Sequence, residues 1–166
     1  SPLKALINDQ FERLEGLLEE AAIPVTKWHG DASAAAKKRV MKRPQGIIQT
    51  TPESLESMLM HNSSGAYRLF SDLRFIIIDE MHYFMDNDRG LQLLCLLERL
   101  ARLIGYHPRR IGLSATLGDC TSAVQWLNTD SGRNCIVPKC HEKGRSLRLS
   151  VRFFPIKEKI PNSDSK

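Results

Sequence analysis

The chain has no apolar run approaching the roughly 18 residues a membrane-spanning helix needs. Its first residues carry no basic patch leading into an apolar stretch, so no secretory leader is expected, and the location is read as intracellular and cytoplasmic. Cysteine is sparse and scattered, with only Cys95, Cys120, Cys135 and Cys140. A chain of this size does not need covalent staples, so these are expected to be reduced thiols. Cys135, Cys140 and His141 fit no common zinc spacing and lack a fourth ligand. None of the 10 glycines is followed directly by lysine, which excludes the phosphate-cradling loop G-x-x-x-x-G-K-[ST] from this sequence. Nor does any segment repeat.

What is present looks globular: 166 residues, 42% hydrophobic and 26% charged, enough for one domain. The net charge of +5 is unevenly placed. From Ile136 onward there are eight basic residues (Lys139, Lys143, Arg145, Arg148, Arg152, Lys157, Lys159, Lys166) against Glu142, Glu158 and Asp164. The rest of the chain therefore balances. A basic tail suits nucleic acid, and equally suits a solvated, disordered end.

Helical spacing of Leu3, Leu6, Ile7, Phe11, Leu14, Leu17 and Leu18 predicts a helix over residues 2–22. A short strand, Val25 to Trp28, is followed by a helix over 32–41 with a basic end. Gly46 to Thr50 reads as a buried strand, 53–60 as a helix and 61–66 as a polar loop. Phe75-Ile76-Ile77-Ile78 reads as a fully buried strand, with a turn over 86–90 and a deep helix over 91–104. Arg110 to Leu113 is a further strand, 122–127 a short helix and 135–137 a strand. Alternation of Leu147, Leu149, Val151 and Phe153 with polar residues predicts a last, one-sided strand. Apolar strands alternating with helices imply an α/β fold with a mostly parallel sheet covered on both faces.

Ligands in such sheets bind at the carboxyl ends of the strands. Three strand ends carry small polar or acidic groups: Thr50-Thr51-Pro52, Asp79-Glu80 and Ser114-Ala115-Thr116. Adjacent carboxylates after an apolar strand suit a magnesium–nucleotide site. One carboxylate would hold hydrated Mg2+, often through water, and the other would take a proton from attacking water. A two-metal nuclease built on Asp79, Glu80 and His82 would need more acidic ligands at that edge. Ser1-Pro2 and Thr51-Pro52 share a hydroxyl cap followed by proline at the first helical position. Each leaves backbone N–H groups free to meet phosphates, with Lys4 adding a charge and Glu53 speaking mildly against phosphate beside it.

In DEMH (Asp79, Glu80, Met81, His82), SAT (Ser114, Ala115, Thr116), SPLKALINDQ and TTPESLE the chain resembles the superfamily-two DExH-box helicases. They match that family's DExH box and motifs III, Ia and Ib, in order. DNDRGLQLLCLLERL and RIGLSATLGD look most like the Lhr subgroup. The resemblance covers residues 1–137 and implies part of a RecA-like first motor lobe, from motif Ia through motif III: a three-layer P-loop NTPase sheet, mostly parallel and incomplete, with its first strands missing. Residues 138–166 would then be a basic connection toward a second RecA-like lobe. It implies ATP and Mg2+ as cofactors, nucleic acid as partner with DNA ahead of RNA, and no membrane. It makes Glu80, Asp79 and His82 catalytic, with Asp79 and Glu80 at the nucleotide and Asp79 holding Mg2+ through water. His82 would contact a hydroxyl of Ser114 or Thr116, linking nucleotide state to the strand, which Ser1, Pro2, Lys4, Thr51, Pro52 and Glu53 would hold. Trp28-His29-Gly30-Asp31 resembles a loop near the strand's path. Arg89 and Gly90 are family-like without an evident chemical role. The family's phosphate loop precedes motif Ia, so the sequence reads as a piece cut at both ends, inactive by itself. The alternative is a non-catalytic nucleic-acid-binding or interaction scaffold built on the same lobe.

Overall fold

A computed structural model describes residues 4–30, 32–116 and 120–138, with backbone alone for residues 4–9. The order is α1 (Lys4–Leu18), β1 (Val25–Trp28), α2 (Ala34–Lys42), β2 (Ile47–Thr50), α3 (Pro52–His61), α4 (Ser63–Phe70), β3 (Phe75–Ile78), α5 (Asp88–Ile104), β4 (Arg109–Gly112) and α6 (Cys120–Asn128). Side-chain caps set the helix starts. Ser33 caps α2, Thr51 caps α3 ahead of Pro52, Asn62 caps α4 and Asn87 caps α5, each accepting a backbone N–H of the first turn. Gly105, at φ 84°, ends α5 in the left-handed conformation that glycine adopts without penalty.

Several expectations change. Residues 61–66 are not a loop, because α4 begins at Ser63. The polar run that reads as irregular is a cap, with Asn62 accepting from Gly65 N–H at 3.0 Å. Behind it Ala66, Leu69 and Phe70 are buried. The turn expected over 86–90 is shorter, since Asn87 already caps α5. Residues 135–137 form no strand and find no partner among the described residues. The expected strand over 147–153, the basic tail, Ser1 and Pro2 lie outside the described residues, as does the side chain of Lys4. Cys95, Cys120 and Cys135 are free thiols.

The strands form two parallel pairs, β1–β2 and β3–β4. Val25 pairs with Ile47 in the first and Phe75 with Arg109 in the second. Among the described residues no strand hydrogen bond joins the pairs, in keeping with an incomplete, mostly parallel RecA-like sheet. What joins them is a helical layer. Leu96, Leu100, Phe70 and Met58 form one cluster with Trp28 and Ile48 from the first pair and Ile76 from the second. A second cluster gathers Ile78, Met81, Phe84, Leu93 and Leu97 against Trp126 and Leu127 of α6.

Among the described residues the opposite face is covered only over β1–β2. Lys27 points there, its ammonium 4.2 Å from the ring of Phe11 on α1. On that face of β3–β4 no helix among the described residues covers Phe75, Ile77, Ile111 or Leu113, and Phe75 and Ile77 are 48% and 54% exposed. Full burial of residues 75–78 is therefore corrected. Side chains alternate across a strand, so Ile76 and Ile78 reach the core while Phe75 and Ile77 face away from it. No helix among the described residues is long and apolar enough to cross a membrane.

Candidate nucleotide and nucleic-acid site

The β3–β4 ladder continues past both strands. Leu113 N–H donates to the Ile78 carbonyl at 2.9 Å, and Met81 N–H to the Leu113 carbonyl at 2.8 Å. These bonds hold the Asp79-Glu80 turn against the Ser114-Ala115-Thr116 loop. Glu80 pivots the turn at φ 51° and ψ 45°. A non-glycine residue there stores about 1–3 kcal/mol of strain, which the surrounding structure must hold in place. The turn runs into a 3-10 turn, Met81–Tyr83. Asn87 braces it, its amide donating to the carbonyls of Tyr83 and Met85 at 2.9 and 3.0 Å. Gly90 closes it from behind. A Cβ at that position would lie 1.5 Å from the Phe84 carbonyl oxygen.

His82 is the hub of this edge. Its Nδ1 lies 3.0 Å from Ser114 Oγ and 3.4 Å from a Glu80 carboxylate oxygen. Of the two hydroxyls expected near it, the structure brings Ser114. Thr116 is exposed and reaches the same group through its backbone, donating to Ser114 Oγ at 3.4 Å. Asp79, half-buried, accepts a hydrogen bond from the Gln10 amide of α1. Among the described residues no group of three or more His, Cys, Asp or Glu is placed to hold a metal alone. Mg2+ does not require one. It keeps several waters and takes one or two carboxylates plus phosphate oxygens, a demand that Asp79 and Glu80 fit.

At the end of β2, Thr51 is buried. Its hydroxyl oxygen accepts from Ser54 N–H at 3.3 Å, while Thr50 Oγ1 donates to the Trp28 carbonyl at 2.9 Å. Glu53 pairs with Arg89 at the start of α5, its carboxylate oxygen 2.6 Å from Nη2. Burial pushes the Glu53 carboxyl up, but its own backbone N–H, the Thr51 hydroxyl and the Arg89 charge outweigh that and hold it below the ordinary value of 4.5. The first donors of α3 are thus taken by the protein's own side chains. Spacing alone gave no sign of the Arg89 contact, because the partners lie 36 residues apart. Equally invisible was Lys37, whose ammonium donates to the His29 carbonyl at 2.6 Å and stands 5.8 Å above the Trp28 ring.

Against known proteins, the profile of the DEAD/DEAH box helicases matches residues 1–123. The chain is 36% identical over 149 residues to the ATP-dependent helicase Lhr-Core of Methanocaldococcus jannaschii, covering 82% of this chain and 17% of that protein. It is 35% identical over 168 residues to the ATP-dependent DNA helicase Hel308 of Methanococcus vannielii, covering 99% of this chain and 20% of that protein. Among solved structures, the Mycobacterium smegmatis helicase Lhr bound to ssDNA and AMP-PNP superposes with a TM-score of 0.65 at 31% identity, over 79% of this chain and 18% of that one. The chain thus spans a fifth or less of these relatives, and the likeness to the Lhr subgroup is borne out. With its acidic strand end, its histidine–serine contact and this match over most of its length, the chain belongs to the DEAD/DEAH box helicase family.

Proposed function

We propose that the chain is part of the first motor lobe of an ATP-dependent nucleic-acid helicase or translocase, in which ATP hydrolysis moves or separates strands. The observation that carries this is the turn at the end of β3, where Glu80 holds a left-handed conformation and His82 joins it to Ser114 across β4. Asp79 would hold the metal through water, and Glu80 would accept the proton of the attacking water. Mg2+, bound together with the triphosphate, would supply neutralising charge there. His82 and Ser114 act as the positioning pair, sensing the turn and passing its state to the β4 loop. The strand runs along the α3 side, past Thr51, Pro52 and Glu53, with Ser1, Pro2 and Lys4 as a second grip. Such gripping reads phosphates and not bases. DNA is favoured over RNA because the similar solved Lhr structure holds single-stranded DNA and one relative is named a DNA helicase. A second RecA-like lobe completes the machine, and this piece by itself turns over no ATP.

The test replaces Asp79 and Glu80 by Asn and Gln in the full-length protein. Loss of a positioned general base lowers turnover by at least about 100-fold. Strand affinity stays near normal. ATP consumption at the parent rate would overturn the reading. Unchanged strand binding without any ATPase in the parent protein would favour the scaffold instead.

A further inference from the structure

The two carboxylates at the end of β3 are held by different parts of the molecule. Glu80 is held from within its own turn, 3.4 Å from Nδ1 of His82. Asp79 is held from outside: the side-chain amide of Gln10 on α1 donates to Asp79 Oδ2, across 69 positions of sequence. An ionised carboxylate only accepts, so the group of Gln10 that meets it is the NH2 and not the carbonyl. The other Asp79 oxygen makes no hydrogen bond or ion pair among the described residues. Both side chains are half-buried. Phe11, next along α1, ties this stretch of the helix to β1, its ring 4.2 Å from the Lys27 ammonium. The Gln10 bond therefore crosses from the helix that covers β1–β2 to the acidic end of β3, between strand pairs that no ladder among the described residues joins.

We propose that Gln10 is a positioning residue for the metal-holding carboxylate: by taking one oxygen of Asp79 it fixes the carboxylate plane and leaves the other oxygen for the water shell of Mg2+. The inference rests on the magnesium–nucleotide reading of Asp79 above and deepens it by one residue. A neutral amide suits the task. Lysine or arginine would orient the carboxylate as well, but would cancel the negative charge that draws a cation. A carboxylate left unheld would have to give up its rotational freedom each time the metal bound. Partners that orient a metal-holding group in this way are worth about 10–100-fold in metal affinity.

The experiment uses the full-length protein and a fluorescent, non-hydrolysable ATP analogue, whose affinity is measured in EDTA and in saturating Mg2+. The ratio of the two affinities is the gain due to the metal. Gln10→Met keeps the length and helix preference of glutamine but has no donor, and Gln10→Ala removes the side chain beyond Cβ. Both variants should lose about tenfold of the parent's metal gain, the lower end of what an orienting partner supplies, with the affinity in EDTA unchanged. In an Asp79→Asn background, which by itself loses the gain, Gln10→Met should change nothing further, because the two act through one group. A full metal gain in Gln10→Met, or a loss equal in EDTA and in Mg2+, overturns the positioning role and leaves the reading of Asp79 standing. A full metal gain in Asp79→Asn overturns both.

Discussion

Gly90→Ala isolates one contact in the molecule. The added Cβ would lie 1.5 Å from the Phe84 carbonyl oxygen, where real Cβ atoms keep 3.0 Å or more. Both partners are backbone, so no side chain can swing clear. The start of α5 and the turn that follows the acidic pair must part by at least 1.5 Å. That separation loosens Phe84 and Leu93, which are 1% and 7% exposed. Overpacking of this kind costs about 3 kcal/mol or more. Two other glycines serve as controls. Gly16 has open space within α1, so alanine there should stabilise by about 0.5–1 kcal/mol. Gly105 has open space but φ of +84°, so alanine should cost about 1–2 kcal/mol through backbone strain alone. Urea unfolding followed by tryptophan emission reads both clusters, since Trp28 packs on one and Trp126 on the other. The Trp126 environment should fail first in Gly90→Ala. A variant within about 0.5 kcal/mol of the parent, the usual range of neutral surface changes, would refute this packing account.

Leu96 is almost fully buried in the cluster that ties the two strand pairs together, so Leu96→Ala should cost about 2–5 kcal/mol in the same unfolding experiment. Thr51→Ala removes the cap of α3 and should cost about 1 kcal/mol, whereas Thr51→Ser should keep most of it; equal losses would show that the hydroxyl is not the cap. The Glu53 carboxyl is held below 4.5, so the stability it contributes through Arg89 is full above that value and fades as pH falls through the lowered one. For so exposed a pair this is at most about 1 kcal/mol. The melting difference between the parent and Arg89→Ala should therefore shrink on acidification, and a difference independent of pH would refute the pairing.

Much of the architecture was legible along the chain. The apolar runs before Asp79 and Ser114 and the Thr51-Pro52 pair identify β3, β4 and the start of α3 through local physics: side-chain alternation, a hydroxyl cap and a fixed proline φ. Helix α4 escaped notice because its polar first turn resembles a loop, and only burial of Ala66, Leu69 and Phe70 against α5 makes it a helix. Residues 135–137 misled in the opposite sense, since an apolar triplet becomes a strand only when another strand offers hydrogen bonds.

Which residue types stand at each strand end was readable along the chain, and with it that carboxylates, a histidine and hydroxyls would share one edge. Tertiary structure alone decided which of them touch. It chose Ser114 over Thr116 for His82, drew Arg89 to Glu53 and left the His29 ring buried with no hydrogen-bond partner among the described residues. The physical reason is that a strand or helix reports its own periodicity locally. A contact between residues 32 or 36 positions apart depends on how separate elements pack, and no spacing rule encodes that.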